Sequence, residues 1–264
     1  MSATLKFLAF DTSTDALSIA LSDGERTWSY DGAGGAQASA HLIPAVLDLL
    51  AQAGWTLPQL DAIVFGRGPG SFTGLRTACA VAQGLAFGAG VPVLPVDTLL
   101  AVAEQARGLQ PAATDTQAPL CVLALLDARM DEVYSAAYEW QGPALGWRMV
   151  QALQVGPPES VALEPAVQAR VALCAGNAFA PYGERLSAAL PAGAPHVQAL
   201  PTAQALLRLA PAMFQAGLAV PPEQAMPLYV RDKVAYTTAE REAMKATQAL
   251  PLKAAGRAEP PQSP

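Results

Sequence analysis

The sequence predicts an α/β fold in two related halves, with mixed sheets flanked by helices. An opening meander of strand-like runs gives way to alternating helix and strand segments, which is the order of a layered α/β domain. A motif from the opening recurs near the midpoint, as a duplicated half would require. Of the 264 residues, 52% are hydrophobic and 14% charged, enough for a sizeable core and too apolar for a disordered chain.

LKFLAF (Leu5 to Phe10) reads as a buried strand and the polar DTSTD after it as a turn. ALSIALSDG alternates apolar with small or polar residues, as a half-buried strand would, Asp23-Gly24 signals a hairpin, and ERTWSY continues the meander. HLIPAVLDLLAQAG (His41 to Gly54) puts Leu42, Val46, Leu49 and Ala53 on one helical face. Pro44 is tolerable in a first turn, and Gly54 suits a left-handed helix end. Strand DAIVFG leads into the loop GRGPGSFTGLR (Gly66 to Arg76), a helix from about Thr73 to Gly88, strand VPVLPV, and helix TLLAVAEQARG ending at Gly108.

QPAATDTQAP (Gln110 to Pro119) is polar and turn-rich, and marks a boundary. It divides the chain into an N-terminal lobe (1–109), a linker (110–119), a C-terminal lobe (120–236) and a flexible tail (237–264). Just beyond it, LALLDARMDEVYSAAY (Leu123 to Tyr138) lies over FLAFDTSTDALSIAL (Phe7 to Leu21), with Asp127 on Asp11 and Asp131 on Asp15. VALCAGNA reads as a strand into a Gly-Asn turn. TAQALLRLAPAMFQAG has helical spacing that Pro211 is expected to kink or split. MPLYVRD reads as extended, and TAEREAMKATQAL as a short helix in the tail.

Bulk properties exclude several functions. The net charge is −6 and no Lys/Arg cluster appears, so direct nucleic-acid binding lacks its usual electrostatic footing. Cys79, Cys121 and Cys174 form no CxxC pair, which fits reduced, buried thiols in a cytoplasmic protein. The one uncharged run long enough to span a membrane, Thr77 to Val96, is cut by Gly88, Gly90, Pro92 and Pro95. His41 and His196 stand in no HExxH spacing, and no GxSxG elbow is present. No catalytic residue, metal or cofactor is assigned.

Three features carry chemistry or contact. The glycine loop lacks the lysine of a phosphate-binding P-loop and breaks the GxGxxG pattern. Arg67, Gly68, Gly70 and Ser71 could still hold an anion at the helix start; the alternative is a tight turn that aims the helix. In the turn after the first strand, Asp11, Ser13 and Thr14 resemble the Asp-x-Gly-Thr turn of actin-like ATPases, with Asp127 as a second acid across a cleft. Ser13 replaces the glycine, however, and both acids can equally cap turns. Finally, Gly74, Ala78, Ala82 and Ala86 repeat every four residues beside Leu75, Val81 and Leu85. Such a helix is too apolar to be covered by one sheet, so it needs a neighbouring helix, a partner, or both.

Taken together, LAFDTSTDALSIAL, HLIPAVLDLLAQAG, FGRGPGSFTGLRTACAVAQGLA and LLDARMDEVYSAAY closely resemble the TsaB family of bacterial tRNA threonylcarbamoyladenosine biosynthesis proteins. The likeness is dense from Leu5 to Tyr138, weak from Glu139 to Gln224, and returns in AMPLYVRDKVA. It implies the actin-like ATPase (ribonuclease H-like) architecture and a non-catalytic role. The implied partner is the catalytic relative TsaD, which modifies adenosine 37 of tRNAs reading codons that begin with adenine. The heterodimer recruits the ATPase TsaE, meets tRNA only as a complex, and the subunit alone can form a homodimer. TsaD holds its metal through a helical HxxxH pair, whereas here His41 is followed by Ala45. On this reading the docking face comprises Leu42, Val46, Leu49, Leu50, Ala53, Gly74, Leu75, Ala78, Val81, Ala82, Leu85 and Ala86, and Ala82→Arg or Leu85→Asp would break the heterodimer. The competing expectation is an independent actin-fold kinase or ATPase using Asp11 and Asp127. A protease lacks any motif to support it.

Overall fold

Two five-stranded mixed sheets of the same topology organise the chain. The computed structural model describes residues 4–110, 118–187 and 189–231. In the first sheet, β1 (Phe7–Asp11), β2 (Ala16–Ser22) and β3 (Thr27–Ala33) form an antiparallel meander. After helix α1 (Ala38–Ala53), strand β4 (Ala62–Gly68) joins β1 in parallel. Helix α2 (Phe72–Ala89) then leads to β5 (Val93–Asp97), parallel to β4, which gives the order β3-β2-β1-β4-β5. Helix α3 (Thr98–Gly108) follows. The second sheet repeats the plan. The meander β6 (Leu120–Arg129), β7 (Glu132–Trp140) and β8 (Trp147–Gly156) is extended in parallel by β9 (Val171–Gly176) and β10 (His196–Gln198). Two short helices intervene, α4 (Pro165–Gln168) and α5 (Phe179–Ser187), and α6 (Ala203–Gln215) closes the series. Asp11 and Asp127 stand on corresponding first strands, as the internal repeat predicts.

Alternation along β1 and β4 sorts their side chains to the two faces of the first sheet. Leu8, Phe10, Ile63 and Phe65 meet α1 and α2; Phe7, Ala9, Ala62 and Val64 meet α6 and Ala101 of α3. On the second sheet, Val122, Ala124 and Leu126 take the other side of α3, and Leu123 and Leu125 pack on α4 and α5. Helix α3 is therefore a shared middle layer. Residues 110–119 separate the two sheets in sequence, but packing crosses them: all these elements lie in one compact unit, Met1–Val230. The expected C-terminal lobe of 120–236 includes α6, which packs on the first sheet instead. Most of the expected linker, and the whole expected tail from Thr237 together with the helix expected in it, lie outside the described residues.

Two helix expectations change in detail. Helix α1 begins at Ala38, so Pro44 sits inside it. The carbonyl that its missing N–H leaves unpaired belongs to exposed Ala40, where water can reach it. Helix α6 runs through Pro211 as a single element, held at its start by Thr202, whose hydroxyl accepts the Ala205 N–H. The Ala203 N–H also donates to Ser18 of β2, which ties α6 to the first sheet.

A buried ion cluster fastens the middle layer. The Glu104 carboxylate on α3, almost fully buried, accepts two hydrogen bonds from Arg107, both 2.9 Å. It accepts one at 2.9 Å from the Trp147 indole of β8 and one at 2.7 Å from Arg208 of α6. Arg107 also lies over the Trp140 ring at 4.3 Å.

Candidate functional site

Glycines let the loop after β4 sit against the turn after β1. A Cβ on Gly66 would stand 1.8 Å from Asp11 Oδ2, and one on Gly74 would stand 1.9 Å from the Thr12 carbonyl. Such distances exclude any side chain unless the buried Asp11 carboxyl moves, at Gly66, or the backbone does, at Gly74. The approach is held by hydrogen bonds: the Thr12 hydroxyl donates to the Gly74 carbonyl at 2.7 Å, and the Ser71 N–H to the Ser13 carbonyl at 2.7 Å. Several of the loop's donors are thus engaged within the protein. Gly68 N–H donates to Thr98 Oγ, and the Arg67 guanidinium pairs with Asp97 at 2.6 Å. The Ser71 hydroxyl accepts the Gly74 N–H at the start of α2. Gly70 faces the Ser13 side chain, where a Cβ would come within 2.6 Å. The anion reading of Arg67, Gly68, Gly70 and Ser71 therefore loses much of its chemistry, while the turn reading gains a mechanism.

Gly74→Ala is expected to cost about 1–3 kcal/mol, because the methyl must displace backbone. Gly84→Ala, where no atom lies within 4 Å of the new Cβ, should gain about 0.5–1 kcal/mol of helix propensity. Parallel urea titrations check both signs.

The Asp11 carboxyl is 1% exposed. One oxygen accepts the Ser13 N–H at 2.8 Å and hydroxyl at 2.6 Å; the other, facing Gly66, accepts no hydrogen bond from any described residue. Burial pushes its pKa up to about 6 against the lowering effect of the two Ser13 bonds. Thr14 caps the turn by accepting the Ala16 N–H. Asp127 belongs to a different network, accepting the Tyr182 hydroxyl at 2.7 Å and the Arg129 N–H at 2.8 Å. The Arg129 guanidinium bridges Asp127 and Asp15, joining the two related hairpin turns. Arg129, Met130 and Asp131 are consecutive non-glycine residues with positive φ, which turns the β6–β7 hairpin tightly. Among the described residues no group of three or more His, Cys, Asp and Glu is placed to hold a metal ion.

The docking-face expectation needs correction. Leu42, Val46, Leu49, Leu50, Leu75, Ala78, Ala82 and Ala86 are buried within this chain, as is Gly74. Ala53, Val81 and Leu85 are only partly exposed and pack on the same core. The regular stripe is regular because it fits the chain's own sheet, so Ala82→Arg would break the core rather than an interface. What stays exposed is the opposite side. On α1 it carries Ala40, Ile43, Leu47 and Ala51 beside the exposed Ser39, His41, Asp48 and Gln52; on α2 it carries Ala80, Gly84, Phe87 and Gly88 beside the exposed Thr73 and Arg76. Ile43 is 41% exposed, Leu47 52% and Phe87 79%, which is high for large apolar side chains on two neighbouring helices.

The chain matches the family model described as TsaD, tRNA N6-adenosine threonylcarbamoyltransferase, over residues 35–239. It is 35% identical over 239 residues to the tRNA threonylcarbamoyladenosine biosynthesis protein TsaB of Haemophilus influenzae, covering 88% of this chain and 96% of that protein. The Escherichia coli TsaB is 34% identical, with coverage of 88% and 97%. This chain belongs to the TsaB family. A solved structure, YeaZ from Pseudomonas aeruginosa, superposes with a TM-score of 0.73 at 39% identity, covering 86% of this chain and all of that one.

In this TsaB-family chain the outer residues were missed for a physical reason. Ile43, Leu47 and Ala51 repeat every four residues just as Leu42, Val46 and Leu50 do, so spacing alone does not say which of the two stripes the sheet covers. Their signal was the surplus itself: α2 is apolar on more sides than a sheet can cover. No motif marks Arg129, although it lies two residues beyond Asp127, inside the repeat. No described helix is long and apolar enough to cross a membrane, so the interrupted run at Thr77 to Val96 folds as the end of α2 and β5.

Proposed function

We propose that this chain is a non-catalytic subunit in tRNA threonylcarbamoyladenosine biosynthesis. It pairs with and positions a TsaD-type catalytic subunit through the outer face of α1 and α2. The heterodimer, not this chain alone, engages the ATPase TsaE and tRNA. The observation that carries the reading is the exposed apolar strip of Ile43, Leu47 and Phe87 on helices whose inner faces are already filled. Membership of the TsaB family supports the pathway, and the net charge of −6 favours contact with tRNA through a partner. The same strip accounts for self-association when the partner is absent. The loop from Gly66 to Arg76 serves this role indirectly, by locking the start of α2 against the Asp11 turn.

Leu47→Asp places a charge in the middle of the strip without touching the core. It should weaken binding to the TsaD subunit of the same organism at least about tenfold in calorimetry, with the melting temperature unchanged. Wild-type affinity in that variant would overturn the proposal.

A further inference from the structure

The rim of the outer helical face holds Arg76, a cation that no described carboxylate compensates. Eight other arginines among the described residues stand within 4.0 Å of a carboxylate. Arg76 has no such partner among the described residues, although the chain as a whole is acidic.

Nevertheless the side chain is held firmly. Its guanidinium carbon lies 3.7 Å from the Phe72 ring centroid and 5.9 Å from that of Tyr229. Its Nε donates to the Tyr229 hydroxyl at 3.0 Å, and the two rings stand 5.4 Å apart. Tyr229 is itself anchored, because the neighbouring Leu228 N–H donates to the Arg67 carbonyl at 2.7 Å. The bond at Nε leaves both terminal nitrogens for an outside acceptor, and their planar fork matches a carboxylate. Ordering a long side chain before binding removes an entropic cost that a free arginine would meet on contact.

We propose that Arg76 is a preorganised anchor for a carboxylate on the catalytic partner, seated at the edge of the apolar strip of α1 and α2. The inference rests on the docking reading above and adds the chemistry that the partner must present: an apolar surface for Leu47 and Phe87, with an Asp or Glu side chain opposite Arg76. Charge at the rim selects the partner and its orientation, while the apolar strip supplies buried area.

The test uses the full chain and the TsaD subunit of the same organism, titrated at 50 and 500 mM NaCl. Wild-type affinity should fall with salt. Arg76→Glu should weaken binding at least about tenfold at low salt and flatten the salt dependence. Arg76→Gln should also flatten it, with a smaller loss, and Arg76→Lys should recover part of the affinity. Melting curves of each variant verify folding, and the glutamine variant serves should the glutamate disturb the aromatic stack. If Leu47→Asp abolishes binding while Arg76→Glu and Arg76→Gln bind like wild type, the anchor is refuted and the docking face stands. If Leu47→Asp also binds normally, the docking reading itself fails. A loss confined to self-association of this chain would assign Arg76 to a second copy and overturn the proposal.

Discussion

Glu104→Ala is expected to lower the stability of this chain by about 3–5 kcal/mol, the usual cost of breaking a buried charge cluster by removing one member. The glutamate joins three elements: its own helix α3, Trp147 of β8 and Arg208 of α6. Without it, the Trp147 indole loses its acceptor, and Arg107 and Arg208 lose their counter-ion at the layer between the sheets. For a chain of this size the melting temperature should drop by roughly 10 °C. The pH signature is specific. Burial alone would raise the Glu104 carboxyl, but hydrogen bonds from Arg107, Trp147 and Arg208 outweigh it and hold it below the usual carboxylate range. A depressed acid stabilises the fold above its unfolded pKa and loses that contribution as pH falls. The difference between wild type and Glu104→Ala should therefore be full at pH 7 and shrink in acid. Equal melting temperatures at pH 7 would show that the cluster is dispensable.

Asp11→Asn should act in the opposite sense. The Asp11 carboxyl is raised from 3.8 to about 6, so the folded chain binds its proton more tightly than the unfolded chain does. Its unfavourable contribution is absent below pH 4, grows as pH rises through 6, and reaches about 3 kcal/mol above that. The amide keeps an oxygen for the two Ser13 bonds but cannot ionise. Its own buried N–H groups carry a cost, which is the same at every pH and cancels in a comparison. Relative to wild type, Asp11→Asn should gain about 2 kcal/mol of stability between pH 4.5 and pH 8, read from urea melts at both values. A pH-independent difference would mean that the Asp11 carboxyl finds a partner or water in solution. A charged group held against its own solvation is a feature of functional sites and of sites that have lost a ligand. In this chain the neighbouring space is taken up by the glycine loop.

Much of this was legible before folding was considered. The apolar run LKFLAF, the alternation in ALSIALS, the glycine at residue 54 and the strand–Asp–strand repeat are local signals, and each element appears where expected in the fold. Strand β2, however, is buried on both faces rather than half-buried, because α1 covers one side and α6 the other. The glycine loop could be separated from phosphate-binding loops because those need a lysine at a set distance. The buried role of Gly66 and Gly74 could not be read, since it depends on Asp11 and Thr12 arriving from another strand. Likewise nothing local to Glu104 announces that Trp147 and Arg208 will surround it.

The sequence by itself determined the element order, the duplication, the family resemblance and the surplus of apolar surface on α1 and α2. Tertiary structure alone decided which side of those helices is free, that α6 crosses back to the first sheet, and that Arg76 meets no carboxylate among the described residues. The reason is that periodicity measures how much of a helix is apolar, whereas exposure depends on which part of that surface the sheet has already claimed. Here the sheet takes the regular stripe of Leu42, Val46, Ala78 and Ala82, and leaves Ile43, Leu47 and Phe87 to the outside.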